Sequence, residues 1–307
     1  MTVAAVIGLG TMGAGIAGVM ARAGLTVRAF DVDAEAVERS QDALPTIAAV
    51  LDRLDMPSKG DATDVTFSES LADAVAGADL VLENVPERLE LKLQVLAEIN
   101  ACVSENCIIA SDTSGIPITK LQAGVTAPQR VVGMHWSNPP HIIPMIEVVA
   151  GEQTCVSTTD WMIETIRGFG LIPVKVDRDV AGFVENRILY AIMREALDLV
   201  ESGVIEPKDL DTCVSWGIGY KLAIVGPMAL LDMAGLDIYQ SVSSYLNDEL
   251  SSRGDVSPYV LERTARGNLG LKSGKGIFDY KGQDIAELRA TRAQRFIAVR
   301  RALEGKS

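Results

Sequence analysis

The stretch VAAVIGLGTMGAGIAGVMARAG, Val3 to Gly24, decides the fold. Val3–Ile7 is a run of β-branched and small apolar residues, the make-up of a short buried strand. Gly8-Leu9-Gly10-Thr11-Met12-Gly13 follows with the spacing G-x-G-x-x-G, and Met12–Ala23 reads as a helix stopped by Gly24. Glycine-rich turns are common, so the pattern alone says little. Between a strand and a helix, each glycine has a task. Gly8 permits the tight turn, Gly10 lets the backbone approach a pyrophosphate, and Gly13 lets helix and strand pack closely. Leu9, Thr11 and Met12 complete a loop whose helix N-terminus meets the phosphate charge. A second strand, Thr26–Phe30, ends at Asp31, an acid placed to accept hydrogen bonds from ribose hydroxyls. A 2′-phosphate there would meet like charge, and the nearest base, Arg28, precedes the acid. The expected cofactor is NAD, not NADP, and no further flavin signature is visible.

Working outward, Ala34–Leu54 reads as a long helix interrupted at Pro45. Short apolar strands recur at Leu80–Leu82, Ile108–Ala110, Val131–Met134 and Ile146–Val149, with helical patterns such as Leu89–Val103 between some of them. This alternation predicts a parallel sheet with helices on both faces. From Gly182 onward the patterns are almost all helical: Val184–Glu201, Pro207–Trp216, Pro227–Leu250, Val256–Arg266 and Asp284–Leu303. The chain of 307 residues exceeds one typical core. The expected organisation is a doubly wound α/β domain over residues 1–178 and an all-α domain over 179–307.

A net charge of −13 argues against a nucleic-acid partner, which would require a basic face. It also means that an anionic substrate needs local positive groups against the global field. Cys102, Cys107, Cys155 and Cys213 form no C-x-x-C and no cluster with the histidines, so no metal is expected. They read as small hydrophobes of a reducing compartment. The beginning of the chain lacks a basic leader, and no apolar stretch reaches spanning length. A cytoplasmic protein with no membrane partner is the expectation.

Both histidines fall in GMHWSNPPHIIPMIEVV, Gly133 to Val149. Glu147 stands there inside an apolar run. His135 ending a strand as a core residue, with Glu147 toward solvent, is one reading. The other is a pair built to move a proton: two adjacent strands and a proline-stiffened turn deliver an imidazole and the carboxylate that orients it. Burying that acid without a partner would be costly. His141 follows the proline pair and reads as a surface or pocket-lining residue. Trp136 is a candidate to cover a flat ring or, equally, to pack against the helical domain, and Trp216 and Tyr220 read as core.

Further landmarks run in order. They are Ala78-Asp79-Leu80-Val81-Leu82-Glu83-Asn84-Val85-Pro86-Glu87 leading to Lys92, Ser111-Asp112-Thr113-Ser114, the His135 stretch, Gly182-Phe183-Val184-Glu185-Asn186-Arg187, and Lys272-Ser273-Gly274-Lys275-Gly276. Together they resemble the 3-hydroxyacyl-CoA dehydrogenase family over nearly the whole chain. The resemblance implies a Rossmann-type domain followed by a helical domain that forms a homodimer, and an NAD-dependent dehydrogenase. It implies His135 as the catalytic histidine, Glu147 as the acid that orients it, and Ser114 and Asn186 as holders of the substrate oxygen. Glu87, Lys92, Ser114, Asn138 and Lys272 match residues around the nicotinamide end of NAD. The family more often reads H-F-F-N-P-V after the histidine. The Pro-Pro-His wording here is similar instead to a branch that oxidises a ring aldehyde to a carboxylate, so a small anionic aromatic substrate is expected. A 3-hydroxyacyl-CoA such as 3-hydroxybutyryl-CoA is the alternative, as is a non-catalytic NAD-binding structural or sensor protein. Glu35–Val65, where CoA-contacting helices would lie, is rich in acids, which disfavours CoA phosphates.

Overall fold

The computed structural model describes residues 2–306. The chain divides into two compact units, Met1–Arg187 and Ile188–Ser307. Eight strands form one sheet in the first unit: β1 (Val3–Ile7), β2 (Thr26–Phe30), β3 (Val65–Phe67), β4 (Leu80–Glu83), β5 (Ile108–Ser111), β6 (Val131–Trp136), β7 (Met145–Ala150) and β8 (Ile172–Val176). Their order is β3-β2-β1-β4-β5-β6-β7-β8. All neighbours are parallel except β6 and β7, which run antiparallel. The first six strands carry the order of the doubly wound dinucleotide-binding fold, with β7 and β8 extending one edge. The order reverses between β1 and β4, and at such a point the strand ends leave a crevice for ligands.

The central strands are apolar almost without interruption because both faces of a parallel sheet are covered. Ala4, Ala5, Val6, Leu80, Val81, Leu82, Ile109 and Val132 are fully buried. Each large aliphatic side chain so buried contributes about 1.5–3 kcal/mol. Helix α1 (Gly13–Arg22) follows the glycine loop and helix α2 (Ala34–Arg53) follows β2. The Asp33 side chain caps α2 by accepting the Glu35 N–H.

Contrary to the expected interruption, α2 runs unbroken through Pro45. The proline lies on the exposed side, as does Gln41, whose carbonyl loses its N–H partner and is left to water. Two strands escape the sequence reading. β3 has only three residues after an acid-rich loop, and β8 is an edge strand that contains Pro173 and exposes Ile172 and Val174.

The second unit is helical, as expected. Gly235 at φ +98° splits the expected Pro227–Leu250 helix into Pro227–Ala234 and Leu236–Leu246. The helix Pro207–Cys213 passes into a π-turn, Val214–Gly219, before Tyr220–Ile224. Trp216 and Tyr220 are not core: they are 75% and 64% exposed. Arg253 ties this unit together, reaching Asp198 and Glu201 at 2.9 Å each, while the Ser257 hydroxyl donates to Glu201. Among the described residues no single helix is long and apolar enough to cross a membrane.

Candidate active site

The glycine loop is shaped by two kinds of constraint. Gly8 sits at φ +104°, and a Cβ there would come within 2.5 Å of the Asn84 carbonyl oxygen. Asn84, just past β4, donates its side-chain amide to the Gly8 carbonyl at 3.1 Å. A Cβ on Gly13 would strike the same carbonyl group of Gly8. Protein packing therefore requires both glycines. Gly10 differs: it is exposed, and a Cβ there would meet nothing within 4 Å. Open space at the start of α1, beside the exposed Thr11 and half-buried Met12, is what close approach of a pyrophosphate needs. Asp31 braces the loop by accepting the N–H of buried Leu9 at 2.6 Å and that of Asp33 at 2.8 Å. Its carboxylate remains half-exposed, with lone pairs for ribose hydroxyls. These residues fit a dinucleotide.

Past β4 and β5 lies a network of charges. Lys92 and Glu83 are both buried, with Lys92 Nζ 2.8 Å from Glu83 Oε1, 3.0 Å from the Val85 carbonyl and 3.5 Å from Glu87 Oε2. Ser111 Oγ donates to the other oxygen of Glu83 at 2.5 Å. Lys92, expected at the nicotinamide, thus presents no free ammonium and is held by protein partners. Glu87 Oε1 accepts from Thr113 Oγ1 and from the N–H groups of Ser114, Gly115 and Ile116. It organises the loop that carries Ser114.

His135 and Glu147 meet because β6 and β7 are antiparallel in a register that sets them directly opposite. His135 Nδ1 lies 2.8 Å from Glu147 Oε2, and both side chains are buried. An ionised carboxylate can only accept, so Nδ1 carries the hydrogen, and in the neutral ring Nε2 keeps its lone pair. Glu147 Oε1 accepts the N–H groups of Val184 and Glu185, at 3.0 and 3.1 Å. Phe183, fully buried, sets its ring edge-on to the imidazole at 5.6 Å between centroids. Asn186 Nδ2 donates to the Ser114 carbonyl at 2.8 Å, and Ser114 is exposed. Asn138 is exposed beyond the end of β6. Lys272 is exposed on a short turn of the second unit.

Residues 3–180 match the description "3-hydroxyacyl-CoA dehydrogenase, NAD binding domain", and residues 182–280 match "3-hydroxyacyl-CoA dehydrogenase, C-terminal domain". The chain belongs to the 3-hydroxyacyl-CoA dehydrogenase family. It is 59% identical over 304 residues to 5-formyl-3-hydroxy-2-methylpyridine 4-carboxylate 5-dehydrogenase of Mesorhizobium japonicum, covering 98% of each chain. A probable 3-hydroxybutyryl-CoA dehydrogenase of Bacillus subtilis is 34% identical, over 90% of this chain and 96% of that one. A crystal structure of 5-formyl-3-hydroxy-2-methylpyridine 4-carboxylic acid 5-dehydrogenase, described as an NAD+-dependent dismutase, superimposes with a TM-score of 0.96. That match is at 58% identity and covers the whole of both chains. This member of the family is an NAD-dependent dehydrogenase.

The charges around His135 bear on its chemistry. Burial of the ring opposes its protonation. The Glu147 hydrogen bond and the charges of Asp112, Glu147 and Glu185 outweigh this, and its pKa is raised above the usual histidine value. Burial likewise opposes the Glu147 charge, but His135 and the two backbone donors hold its pKa below the usual carboxylate range. Asp112 is the residue that spacing alone does not single out. It is buried, its Oδ1 accepts the Trp136 N–H at 2.8 Å, and burial pushes its pKa up to about 7. Phe183, Glu185 and Glu83 were also in plain sight within the motifs, but only the contacts give them roles.

Trp136 does not cover a ligand ring. It is 2% exposed and stacks on Phe169 at 6.3 Å. His141 packs over Gly15 of α1, where a Cβ would come within 3.1 Å of its Nδ1. Burial drops its pKa to about 4, so it stays neutral at working pH.

A buried Asp112 that holds its proton gives stability that is full below the ordinary carboxylate pKa. That contribution is lost as pH rises through about 7. Asp112→Asn keeps an acceptor for Trp136 and removes the charge. Its melting temperature relative to the parent chain should therefore be higher at pH 8 than at pH 5; a difference independent of pH would show that Asp112 is not buried as a charge.

Proposed function

We propose that the protein oxidises the 5-aldehyde of 5-formyl-3-hydroxy-2-methylpyridine-4-carboxylate to the 4,5-dicarboxylate, a step of vitamin B6 degradation. The observation that carries this reading is 59% identity along 98% of the chain to an enzyme of that name. The relative described as a dismutase suggests a second half-reaction as well, reduction of the free aldehyde. NAD+, when bound, supplies the hydride acceptor; the protein must handle the proton.

His135 is the base in this scheme. Glu147 fixes the tautomer, leaves Nε2 toward the substrate and stabilises the imidazolium that forms. The reacting species is the aldehyde hydrate, whose carbon carries both a hydroxyl and a hydrogen. Ser114 and Asn186 hold the substrate oxygen, and Glu87 and Asn138 surround the nicotinamide end, with Lys92 acting through Glu87. The glycine loop and Asp31 hold the pyrophosphate and the ribose.

A CoA thioester is less well served. In the stretch where CoA phosphates would need cations, Arg39 is engaged by Asp33 and Glu35, and Lys59 donates to the Gly168 carbonyl. A purely structural NAD-binding role would leave the buried His135–Glu147 pair without a purpose, at the cost of burying a carboxylate.

The second unit supports a further part of the reading, a homodimer. Trp216, Ile224, Met228, Met233 and Leu236 are each more than 60% exposed, bulky apolar side chains of the kind that a subunit interface covers.

Steady-state assays should show NADH formation from the pyridine aldehyde and far less from 3-hydroxybutyryl-CoA; the opposite preference would refute the substrate. His135→Ala should lower turnover by about 10²–10⁴-fold while NAD binding persists. The base must be neutral, and its pKa is raised, so oxidation should climb with pH through a value above about 6.5. Glu147→Gln should move that limb to lower pH and cost less than His135→Ala. Near-parental turnover of His135→Ala would remove the mechanism. Sedimentation of the whole protein should give twice the chain mass, and a monomer at micromolar concentration would count against the dimer.

A further inference from the structure

The Gly182–Arg187 motif brings a second carboxylate to the dyad. Glu185 is half-buried, and its Oε2 accepts the Ser137 hydroxyl at 2.6 Å. One ligand atom each of His135, Glu147 and Glu185 lie within 4.8 Å of one another. Among the described residues, no lysine or arginine pairs with Glu185, and its Oε1 accepts no hydrogen bond. Two carboxylates this close repel, and Glu147 is buried away from water that would screen its charge. The imidazolium of His135 offsets that repulsion only when it is protonated. In the form that takes a proton from substrate, His135 is neutral, and Asp112 adds no positive charge. Glu185 then has one donor, Ser137, and an oxygen to spare.

A secondary alcohol offers nothing to that oxygen, because its single hydroxyl goes to His135. An aldehyde hydrate carries a second hydroxyl on the same carbon. We propose that Glu185, oriented by Ser137, receives this second hydroxyl and determines specificity for aldehyde hydrates; the proposal rests on the substrate reading above.

The step balances. His135 Nε2 takes the proton of one hydroxyl; bound NAD+ would supply the acceptor for the C–H hydrogen and its electron pair. The deprotonated oxygen becomes the carbonyl of a carboxylic acid. The second hydroxyl becomes the acid O–H, and its proton passes by way of Glu185 to solvent. As the hydride departs, this hydroxyl turns from a weak acid into a strong one. Its bond to Glu185 therefore strengthens toward the transition state, which is the condition for catalysis rather than mere binding. Once the proton is gone, a product carboxylate faces the Glu185 carboxylate, and repulsion favours release. Reduction of the free aldehyde involves no second hydroxyl and draws less on Glu185.

An acid in the first turn of the helix Glu185–Glu201 also complements the helix dipole. That role alone would change stability and leave substrate preference and product affinity untouched. The deciding experiment uses full-length Glu185→Gln and Ser137→Ala in both half-reactions, with calorimetric titration of the pyridine dicarboxylate. Glu185→Gln should lower kcat/KM for aldehyde oxidation by about 10–100-fold, the range for a hydrogen bond to a charged group. The ratio of oxidation to reduction should fall at least about tenfold, and the dicarboxylate should bind about tenfold more tightly. Ser137→Ala should move the same ratio in the same direction by a smaller factor. Equal losses in both half-reactions, or unchanged dicarboxylate affinity, would overturn the role of Glu185 and leave the substrate reading standing. If the parent enzyme oxidises 3-hydroxybutyryl-CoA and not the pyridine aldehyde, the substrate reading fails first and this proposal falls with it.

Discussion

One buried carboxylate governs the architecture around His135. Glu147 is 1% exposed, and an ion so placed is stable only if its oxygens are satisfied. Both are: one by the His135 ring, the other by two backbone N–H groups at the head of the helix Glu185–Glu201. Meeting these demands requires an antiparallel partner strand in a fixed register, because a slip by one residue would turn Glu147 to the opposite face. It also requires a chain reversal that aims two N–H groups at β7. That reversal places Gly182 at φ +78° and Phe183 at φ +46°, a conformation that L side chains seldom adopt. Phe183 is kept there by complete burial and by its ring contact with His135.

Beside it, the dinucleotide site rests on simpler terms. Steric exclusion shapes the glycine loop, with the carbonyls of Asn84 and Gly8 standing where Cβ atoms would be. Asp31 braces that loop and keeps its carboxylate half-exposed. The result is a sterically fixed loop after β1 and a charged end past β4, β5 and β6 of the same sheet. The charged end is dense in acids, and Glu83 with Lys92 shows how the fold tolerates that. A buried ammonium between Glu83 and Glu87 gathers both into one satisfied network.

The sequence discloses what depends on short-range pattern. Strands β1 and β2, the glycine loop, Asp31 and the two-unit organisation follow from apolar runs and glycine spacing. β3 and β8 do not, because a three-residue strand and a proline-bearing edge strand lack a periodic signature. The unbroken α2 shows that an internal proline on an exposed face need not break a helix. At the site, His135 and Glu147 were visible as residue types at the ends of adjacent strands. The inward turn of Trp136, the closed environment of Lys92 and the placement of Asp112 and Glu185 depend on contacts between distant segments. No local pattern encodes these.

The double duty of Glu147 has a consequence for how this enzyme can change. The oxygen that accepts from Val184 and Glu185 acts as a helix cap delivered from a strand 37 residues away in sequence. Tuning the histidine by exchanging this acid for a shorter or apolar side chain would also uncap the helix. Drift in the protonation of His135 and drift in the anchoring of that helix are thereby locked together. The side chains of Ser137 and Glu185, which bond to each other beside the pair, are free of that double duty.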